Sequence, residues 1–434
     1  MLIRFEVSNY RSILDAAELS MIAVDQDRVE ARRTALLGES LLVVAAVFGP
    51  NASGKSNIIA AFTWIREAVQ NSLRSWDHEI PVEPFAFGDG PTRSSEFVVE
   101  SLIGGIRFEY ILELNREAVQ YEGLFHYPEK KRRRIFEREG SELKLQRGLG
   151  NLSGTRELLT DYTLALSVAR RFDEPLVSGF VRDLLRAQTF GPSVRRPRSF
   201  GSSGSYQPPS RSTLRWFEPP SPNDHQSLFG AGIAGDIPRT DREQALALLK
   251  LADLGIVDVL IEEEEMRFQS SGETVAVRSQ KRARLVHRAA EERVPLDFIA
   301  ESEGTRTWFQ LIGPVLSVLQ SGSLLLFDEL DASLHPTLSA QLIRLFHDPA
   351  TNPNGAQLIF TSHDTSLLNH LNRDEVWLTE KVDTGATRLG ALAEFAGERV
   401  RKSQNLENAY LHGRFGALPD VDQTDFLRAL GLIG

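Results

Sequence analysis

The sequence predicts an α/β fold, in which a mixed central sheet is joined by an antiparallel β subdomain and a largely helical insertion. The first observation is the apolar run 41–48, which leads into a glycine-rich loop and an amphipathic helical pattern. The second is two alternating runs, 96–103 and 106–114, separated by a Gly-Gly pair that is typical of a hairpin. The third is two late apolar runs, 324–327 and 357–360, with a helical pattern between them.

The composition is that of a soluble, cytoplasmic protein with an ample core. The chain has 434 residues, of which 41% are hydrophobic. We find no apolar run of about 18 residues and no signal peptide, because the chain begins with the strand-like segment 2–7. No cysteine is present, which excludes disulfides, thiolate zinc sites and cysteine nucleophiles.

We expect a single domain whose two halves are separated in the sequence. An N-terminal lobe, 1–114, and a C-terminal lobe, 295–434, would flank an insertion, 115–294. Within the insertion, residues 191–222 are rich in Ser, Pro, Gly and Arg and predict a flexible loop. The acidic run Glu262 to Glu265 predicts a solvated turn, and the chain shows no heptad pattern that would indicate a long coiled coil.

The glycine-rich loop matches the Walker A pattern G-x-x-x-x-G-K-[ST], in its required place between a strand and a helix. Backbone N–H groups of the loop and the N-terminus of the helix are expected to bind the phosphates of ATP. Lys55 would reach the β- and γ-phosphates, and the hydroxyl of Ser56 would bind Mg²⁺. The residues expected to contact the nucleotide are Gly49, Pro50, Asn51, Ala52, Ser53, Gly54, Lys55, Ser56 and Asn57.

The apolar run 324–327 ends in two carboxylates, Asp328 and Glu329, and resembles a Walker B motif. Asp328 would hold the Mg²⁺ ion, mostly through water. Glu329 would be the catalytic residue that orients and polarises the attacking water. A short apolar run before Asp-Glu is common by itself, so this assignment depends on the motifs around it.

Those motifs occur in the order of a known class of ATPase. Walker A is followed by Glu301-Ser302-Glu303-Gly304-Thr305-Arg306 at a helix start, by Walker B with its glutamate, and by Thr361-Ser362-His363-Asp364 at a strand end. This order resembles the ABC-type ATPase heads of the SMC, RecF and OLD class. The resemblance implies a P-loop NTPase fold of the ABC-ATPase head type.

Four shorter elements resemble the ATPases grouped as AAA family fifteen. They are Asn9-Tyr10-Arg11-Ser12, the Ser-Glu-Gly-Thr-Arg element, Asp-Glu-Leu-Asp-Ala-Ser-Leu-His-Pro, and the tail 411–419. The resemblance implies that Ser302 and Gly304 complete the ATP site of a second protomer, and that the turn 333–335 crosses the dimer interface. It further implies that His363 is a catalytic residue contacting the γ-phosphate and that Arg11 lies near the nucleotide.

The chain departs from the usual ABC pattern at several positions. Glu303 stands where many signatures have glycine, Thr305 where they often have glutamine, and His335 where an aspartate is usual. No glutamine of the coupling loop can be placed, since Gln70 belongs to the predicted Walker A helix. These departures predict slow or partner-dependent hydrolysis. Ser302 also suits a plain helix N-cap, a role compatible with the signature.

The leading functional hypothesis is an ATPase that forms a homodimer or higher homo-oligomer through shared ATP sites and regulates a separate effector. The resemblance implies anti-phage defence, with a nuclease or toxin as effector and a phage protein as trigger. The segment after His363 is too short for a nuclease domain and lacks the acidic cluster of a magnesium nuclease, which favours a separate effector. Two alternatives stay open: a RecF-like DNA-binding ATPase in DNA repair, and a low-turnover ATP-dependent sensor or scaffold.

The net charge of -10 argues against a surface that binds nucleic acid throughout. Three local basic runs leave nucleic acid open as a partner, although runs of this kind are more often solvated faces. They are residues 130–134, residues 195–198, and residues 281–284 with Arg288 beyond. No membrane partner is expected.

Overall fold

The computed structural model describes residues 1–34, 38–192, 209–218, 239–253, 255–269, 275–392 and 406–412. The strands are β1 Leu2–Ser8, β2 Ala17–Ser20, β3 Arg32–Arg33, β4 Ser40–Leu41, β5 Val44–Phe48, β6 Ser95–Ile103, β7 Ile106–Leu114, β8 Val119–Tyr127, β9 Arg133–Glu139, β10 Glu142–Leu145, β11 Gln188–Phe190, β12 Ile256–Gln269, β13 Val275–Ala289, β14 Glu292–Asp297, β15 Leu324–Phe327, β16 Gln357–Thr361, β17 Val376–Lys381 and β18 Thr387–Ala391.

The helices are α1 Lys55–Ser75, α2 Ala165–Ala169, α3 Pro175–Arg186, α4 Arg211–Leu214, α5 Arg239–Ala252, α6 Glu303–Ser321, α7 Leu330–Ser333, α8 Pro336–His347 and α9 Leu406–Leu411. Among these helices, none is long and apolar enough to cross a membrane. Part of the tail resemblance, residues 413–419, lies outside the described residues, as does the basic run 195–198.

A six-stranded mixed sheet, in the order β11-β15-β16-β5-β17-β18, carries the predicted nucleotide motifs. The strands β11, β15, β16, β5 and β17 run parallel, and β18 returns antiparallel to β17. Every residue of β5, β15 and β16 is buried, as continuous apolar runs predict for strands covered on both faces. Their carboxyl ends therefore lie at one edge, where the loops that follow them meet.

Helix α1 follows β5 after the glycine-rich loop and covers one face of this sheet. The apolar residues that predict it, including Ile58, Phe62, Ile65 and Val69, are buried. They belong to a core that also contains Phe5 of β1 and Leu326 of β15. The helix therefore joins the central sheet to the N-terminal β lobe.

The predicted antiparallel β subdomain is a seven-stranded sheet in the order β10-β9-β8-β7-β6-β1-β2. The Gly104-Gly105 pair forms its β6–β7 turn, and both glycines have positive φ, 56° and 79°. This conformation suits glycine, which has no Cβ to clash. The predicted hairpin and the fold class are therefore confirmed.

Residues 115–294 contain much more strand than the expected, largely helical, insertion. Strands β8–β10 extend the antiparallel sheet, β11 joins the central sheet, and β12–β14 form a sheet of their own. Strand β11 pairs with β15, which is distant in the sequence, and local periodicity does not reveal such pairing. Strands β8–β10 and β12–β14 pair with strands that neighbour them in the sequence. Helices α2–α5 lie among these strands.

The acidic run Glu262 to Glu265 is part of strand β12, and the prediction of a turn there was wrong. In the β12–β13 register, Glu262 faces Arg282 and Glu263 faces Lys281. Opposite charges across an antiparallel pair stabilise the ladder, so an acidic segment can be extended here. The charge of the run alone does not decide its conformation, because the partner strand carries the opposite charge.

Of the predicted flexible loop 191–222, residues 193–208 and 219–222 lie outside the described residues, whereas residues 209–218 form a packed segment. Residues 209–218 include helix α4, and Leu214, Trp216 and Phe217 just within or after it are buried. The ring of Phe217 stacks on Phe309 of α6 at 5.6 Å. Burial of these apolar side chains offsets the turn-forming composition around them.

We predict that His126 on β8 makes the fold sensitive to acid. Its side chain is 7% exposed, and both ring nitrogens are buried without a hydrogen-bond partner. Burial lowers the pKa of His126, and the positive charge of Arg133 adds to this. The unfolded chain therefore takes up a proton near pH 6.5 that the folded chain resists, and stability falls as pH drops below that value.

The variant His126→Phe should lose less free energy of unfolding between pH 7 and pH 5 than the wild type, because phenylalanine takes up no proton. The measurement is urea unfolding across this range, with the exposed His78→Phe as control, which should follow the wild type. Equal pH slopes for His126→Phe and the wild type would contradict this account.

Candidate functional site

Three segments meet at the carboxyl edge of the central sheet. They follow β5, β15 and β16, which are adjacent and parallel. They contain the loop 49–54, the pair Asp328 and Glu329, and His363. The structure therefore brings the predicted Walker A, Walker B and strand-end histidine elements to one place, the edge where ligands bind in open α/β sheets.

The loop 49–54 has the backbone shape that its glycines predict. Gly49 and Gly54 have φ of 152° and 102°, and Ala52 is left-handed at 62°. The N–H of Ser53 donates to the Pro50 carbonyl at 3.2 Å, which closes the turn. Helix α1 begins directly after Gly54 with no side-chain cap. Its first-turn N–H groups are therefore oriented as an anion site requires.

Lys55 is 5% exposed and turns back over the loop. Its Nζ donates to the carbonyls of Gly49 at 2.8 Å and Pro50 at 2.9 Å. Burial lowers the pKa of the Lys55 ammonium, and the carboxylates of Asp331, Glu329 and Asp328 oppose this shift. The lysine and the Walker B acids share this edge of the sheet, although they are far apart in the sequence.

Thr361, at the end of β16, holds both Walker B acids in place. Its Oγ1 donates to Asp328 Oδ1 at 2.8 Å and accepts from the N–H of Glu329 at 2.8 Å. Asp328 is 2% exposed, and Glu329 has a left-handed backbone with φ 54°, which is unusual for a residue other than glycine. This role of Thr361 has no sequence signal apart from its place at a strand end.

Strand β11, which lies within the insertion, supports Asp328 from the other side. The Asp328 N–H donates to the Phe190 carbonyl of β11 at 2.8 Å. Gly191 follows with φ 112°, and a Cβ there would lie less than 3.0 Å from the Asp328 carbonyl oxygen. Gln188 is at the opposite end of β11, where its amide donates to Arg186. Gln70 is exposed on α1, so neither glutamine lies at this strand end.

His363 is exposed, and its N–H donates to Asp331 Oδ1 at 3.1 Å. Asp331 is the second residue of α7, the short helix that begins directly after Glu329. This bond connects the strand-end histidine to the turn after Walker B. In that turn His335 is the N-cap of α8, and its Nδ1 accepts from the N–H of Thr337 at 3.3 Å.

Ser302 caps helix α6, as one of its two expected roles requires. Its Oγ accepts from the N–H of Thr305 at 3.1 Å. Ser302, Glu303 and Gly304 are exposed, and a Cβ on Gly304 would meet only Ser302 Oγ, at 3.9 Å. Packing within one protomer therefore does not require a glycine at position 304. Because Gly304 has no side chain, the N-terminus of α6 stays accessible from outside the protomer.

Arg11 pairs with Glu83 through two contacts of 3.1 Å, and its φ is 51°. Its neighbour Ser12 reaches the Walker A region, because Ser12 Oγ accepts from the amide of Asn57 at 2.6 Å. The turn that carries Arg11 therefore lies beside the start of α1, while the guanidinium itself contacts Glu83.

Two threonines behind the loop were not anticipated. Ser53 Oγ lies 2.6 Å from Thr379 Oγ1, and Thr387 Oγ1 donates to the Ser53 carbonyl at 2.7 Å. A Cβ on Gly49 or on Gly54 would lie less than 3.0 Å from these threonines. Thr379 and Thr387 belong to β17 and β18, for which the sequence analysis identified no motif.

The residues expected to hold Mg²⁺ fit that ion. Ser56 offers a hydroxyl and Asp328 a buried carboxylate. Within the described residues, no group of three or more His, Cys, Asp or Glu side chains could hold a metal. A site of few protein ligands suits Mg²⁺, which keeps several waters and binds through substrate phosphates.

A family model described as "AAA domain, putative AbiEii toxin, Type IV TA system" matches residues 44–163 and 205–369, more than half of the chain. The chain belongs to this family. The match includes Walker A, the signature-like element, Walker B and His363. Membership of this AbiEii-type AAA family confirms the expected class of P-loop ATPase domain.

Three solved structures are similar to this AbiEii-type AAA protein. An SMC head domain from Thermotoga maritima is 14% identical, with 90% of this chain and 98% of that one covered and a TM-score of 0.38. An SmcHead bound to the C-winged helix domain of ScpA is 12% identical, with 90% and 97% covered and a TM-score of 0.42.

The third structure is an Smc head domain with an extended coiled coil, bound to the C-terminal domain of ScpA from Pyrococcus furiosus. It is 11% identical, with 91% of this chain and 97% of that chain covered and a TM-score of 0.41. A comparison with curated proteins finds no match.

The variant Thr361→Val should lower the free energy of unfolding by about 1–3 kcal/mol, because Asp328 Oδ1 and the Glu329 N–H lose their partner in a buried place. The measurement is denaturant unfolding with circular dichroism. Thr361→Ser keeps the hydroxyl and should stay within about 1 kcal/mol of the wild type. If Thr361→Val were as stable as the wild type, the hydroxyl would not be needed to hold the two acids.

Proposed function

We propose that this AbiEii-type AAA protein binds ATP with Mg²⁺ at the carboxyl edge of its central sheet and hydrolyses it. The observation that carries the proposal is that Lys55, Asp328 and Glu329 follow parallel strands at one edge of the sheet, beside an uncapped helix N-terminus. The Lys55 ammonium and the helix N–H groups can bind the negative charge of a triphosphate. A Mg²⁺ ion would offset the repulsion between the triphosphate and the carboxylates of Asp328 and Glu329.

In this proposal each residue has a separate task. The loop N–H groups and Lys55 bind and orient phosphate oxygens, and Ser56 and Asp328 hold the metal. Glu329 accepts a proton from the attacking water, in a position fixed by the bond between its N–H and Thr361. His363 lies on the same edge, attached through Asp331, where it can contact the γ-phosphate.

We further propose that two chains complete each site. Ser302 and Gly304 start a helix whose N-terminus is exposed, with open space around the glycine. Such a helix end can bind the γ-phosphate held by a second protomer. The hydrogen bonds of Ser302 stay within its own helix start, so its cap role leaves this surface free for a partner.

The cellular role that we propose is control of a separate effector, a nuclease or toxin, in anti-phage defence, with a phage protein as trigger. The family description, which names a putative AbiEii toxin and a type IV toxin–antitoxin system, supports a role in such a system. The separate effector and the phage trigger rest on the resemblance stated above. Closing and opening of two heads with the nucleotide state would be the signal passed to the effector.

A RecF-like role in DNA repair is the first alternative. The basic run 281–284 gives it little support, because Lys281 pairs with Glu218 and both arginines pair with Asp297. In the run 130–134, Lys130, Lys131 and Arg133 are exposed. Strong, salt-dependent binding to duplex DNA would favour this alternative.

The variant Glu329→Gln should reduce phosphate release at least about 100-fold, because the amide cannot accept the proton of the attacking water. Size by light scattering should show that the variant assembles with ATP and Mg²⁺ as the wild type does, or more stably. Glu79→Gln, at an exposed position, is the control and should keep wild-type turnover. Undiminished hydrolysis by Glu329→Gln would overturn the assigned base.

If cellular function persists in Glu329→Gln while assembly is retained, the low-turnover sensor or scaffold becomes the better interpretation. Loss of function together with hydrolysis would support an active ATPase cycle. The same variant thus separates the enzyme from the second alternative.

Shared sites can be tested by mixing two inactive variants. Lys55→Ala removes the phosphate-binding ammonium, and Gly304→Tyr fills open space that a partner's nucleotide would need. In random dimers of the two, half of the molecules have one intact site of two, so activity should return to roughly a quarter of the wild type. A mixture that stays inactive while the variants still co-assemble would contradict a composite site.

A further inference from the structure

The hairpin β17–β18 contacts the Walker A loop through the hydroxyls of Thr379 and Thr387. Thr379 is fully buried and Thr387 is 4% exposed. Thr387 Oγ1 donates to the Ser53 carbonyl at 2.7 Å, and Thr379 Oγ1 donates to the Phe48 carbonyl at 3.2 Å. The peptide groups on both sides of the loop are therefore held by the same hairpin.

The hydroxyls around Thr387 form a chain with one direction. Each hydroxyl has a single proton, and that of Thr387 is used at Ser53. Ser12 Oγ, 2.8 Å from Thr387 Oγ1, must therefore donate to it. Ser12 in turn accepts from the Asn57 amide at 2.6 Å. The chain runs from Asn57 through Ser12 and Thr387 to Ser53, and bonds in such a series strengthen one another.

Backbone contacts keep this chain in register. The N–H of Thr387 donates to the Ser12 carbonyl at 2.6 Å. A Cβ on Gly54 would lie 2.8 Å from Ser12 Oγ and closer still to Thr387 Oγ1. Glycine is needed here for the approach of the hairpin as well as for its φ of 102°.

The bond to Ser53 also sets the direction of the next N–H group. The Ser53–Gly54 peptide is planar and trans, so its carbonyl and its N–H point to opposite sides. With the carbonyl held by Thr387, the Gly54 N–H must point away from the hairpin. In the proposed function the phosphates bind on that side of the loop.

We propose that Thr387, oriented by Ser12, is a positioning residue that aims the Gly54 N–H at the phosphate chain of the nucleotide. The inference rests on the proposed function and adds residues that none of the nucleotide motifs contain. Without the hydroxyl, the Ser53–Gly54 peptide can rotate. Binding of a phosphate then has to order the Gly54 N–H, and the conformational entropy lost in doing so weakens the affinity.

The test is the affinity of the full chain for inorganic pyrophosphate and for MgATP, measured by calorimetry together with the melting temperature. Thr387→Val keeps the shape of the side chain and should weaken both affinities about ten-fold. Thr387→Ser should restore them to within about two-fold, because it returns the hydroxyl. Pyrophosphate lacks the base and sugar, so a matching loss for both ligands locates the effect at the phosphates.

Thr63→Val is the matched control, since Thr63 is also buried but its hydroxyl donates to Ile59 within α1. It should change the melting temperature without changing either affinity. A Thr387→Val variant that binds pyrophosphate as tightly as the wild type overturns the inference, whatever its melting temperature. If Thr387→Val does not fold, Ser12→Ala is measured in its place. An affinity of Ser12→Ala for pyrophosphate equal to that of the wild type also overturns the inference.

Failure of the two proposals can be told apart in the same experiment. A wild-type protein that binds neither MgATP nor pyrophosphate removes the proposed function, and the inference with it. A wild type that binds and hydrolyses ATP, next to a Thr387→Val variant of equal affinity, removes the inference alone.

Discussion

The parallel pairing of β5, β15 and β16 is the constraint on which the rest of the structure depends. It places the ends of three strands, from opposite halves of the chain, at one edge of the sheet. In this register one hydroxyl, that of Thr361, bonds to both the Asp328 carboxylate and the Glu329 N–H. The long segment between the two halves must fold so that it returns the chain to this edge.

Local patterns were enough to predict the elements that contain the motifs. The Walker A loop, helix α1, the β6–β7 hairpin and the strand before Asp328 depend on spacing within a few residues, which a sequence displays directly. The residues that were missed, Thr361, Thr379 and Thr387, act across contacts between distant strands. A single threonine in a strand looks the same whether its hydroxyl holds a neighbour or faces solvent.

The errors in the insertion have the same origin. The acidic part of β12 was assigned to a turn because the opposite charges on β13 are distant in sequence. Burial of Leu214 and Phe217 against α6 likewise gives order to a segment whose composition favours a loop. In both cases tertiary pairing decided between conformations that local propensity leaves nearly equal.

Strand β11 has a consequence for how this protein can change. It comes from the insertion, yet its last carbonyl holds the Asp328 N–H, and Gly191 next to it has no room for a side chain. The insertion is thus a structural part of the site and cannot be exchanged as a separate module. The crossover points of a recombinant or designed chimera therefore have to leave Gln188 to Gly191 with the central sheet.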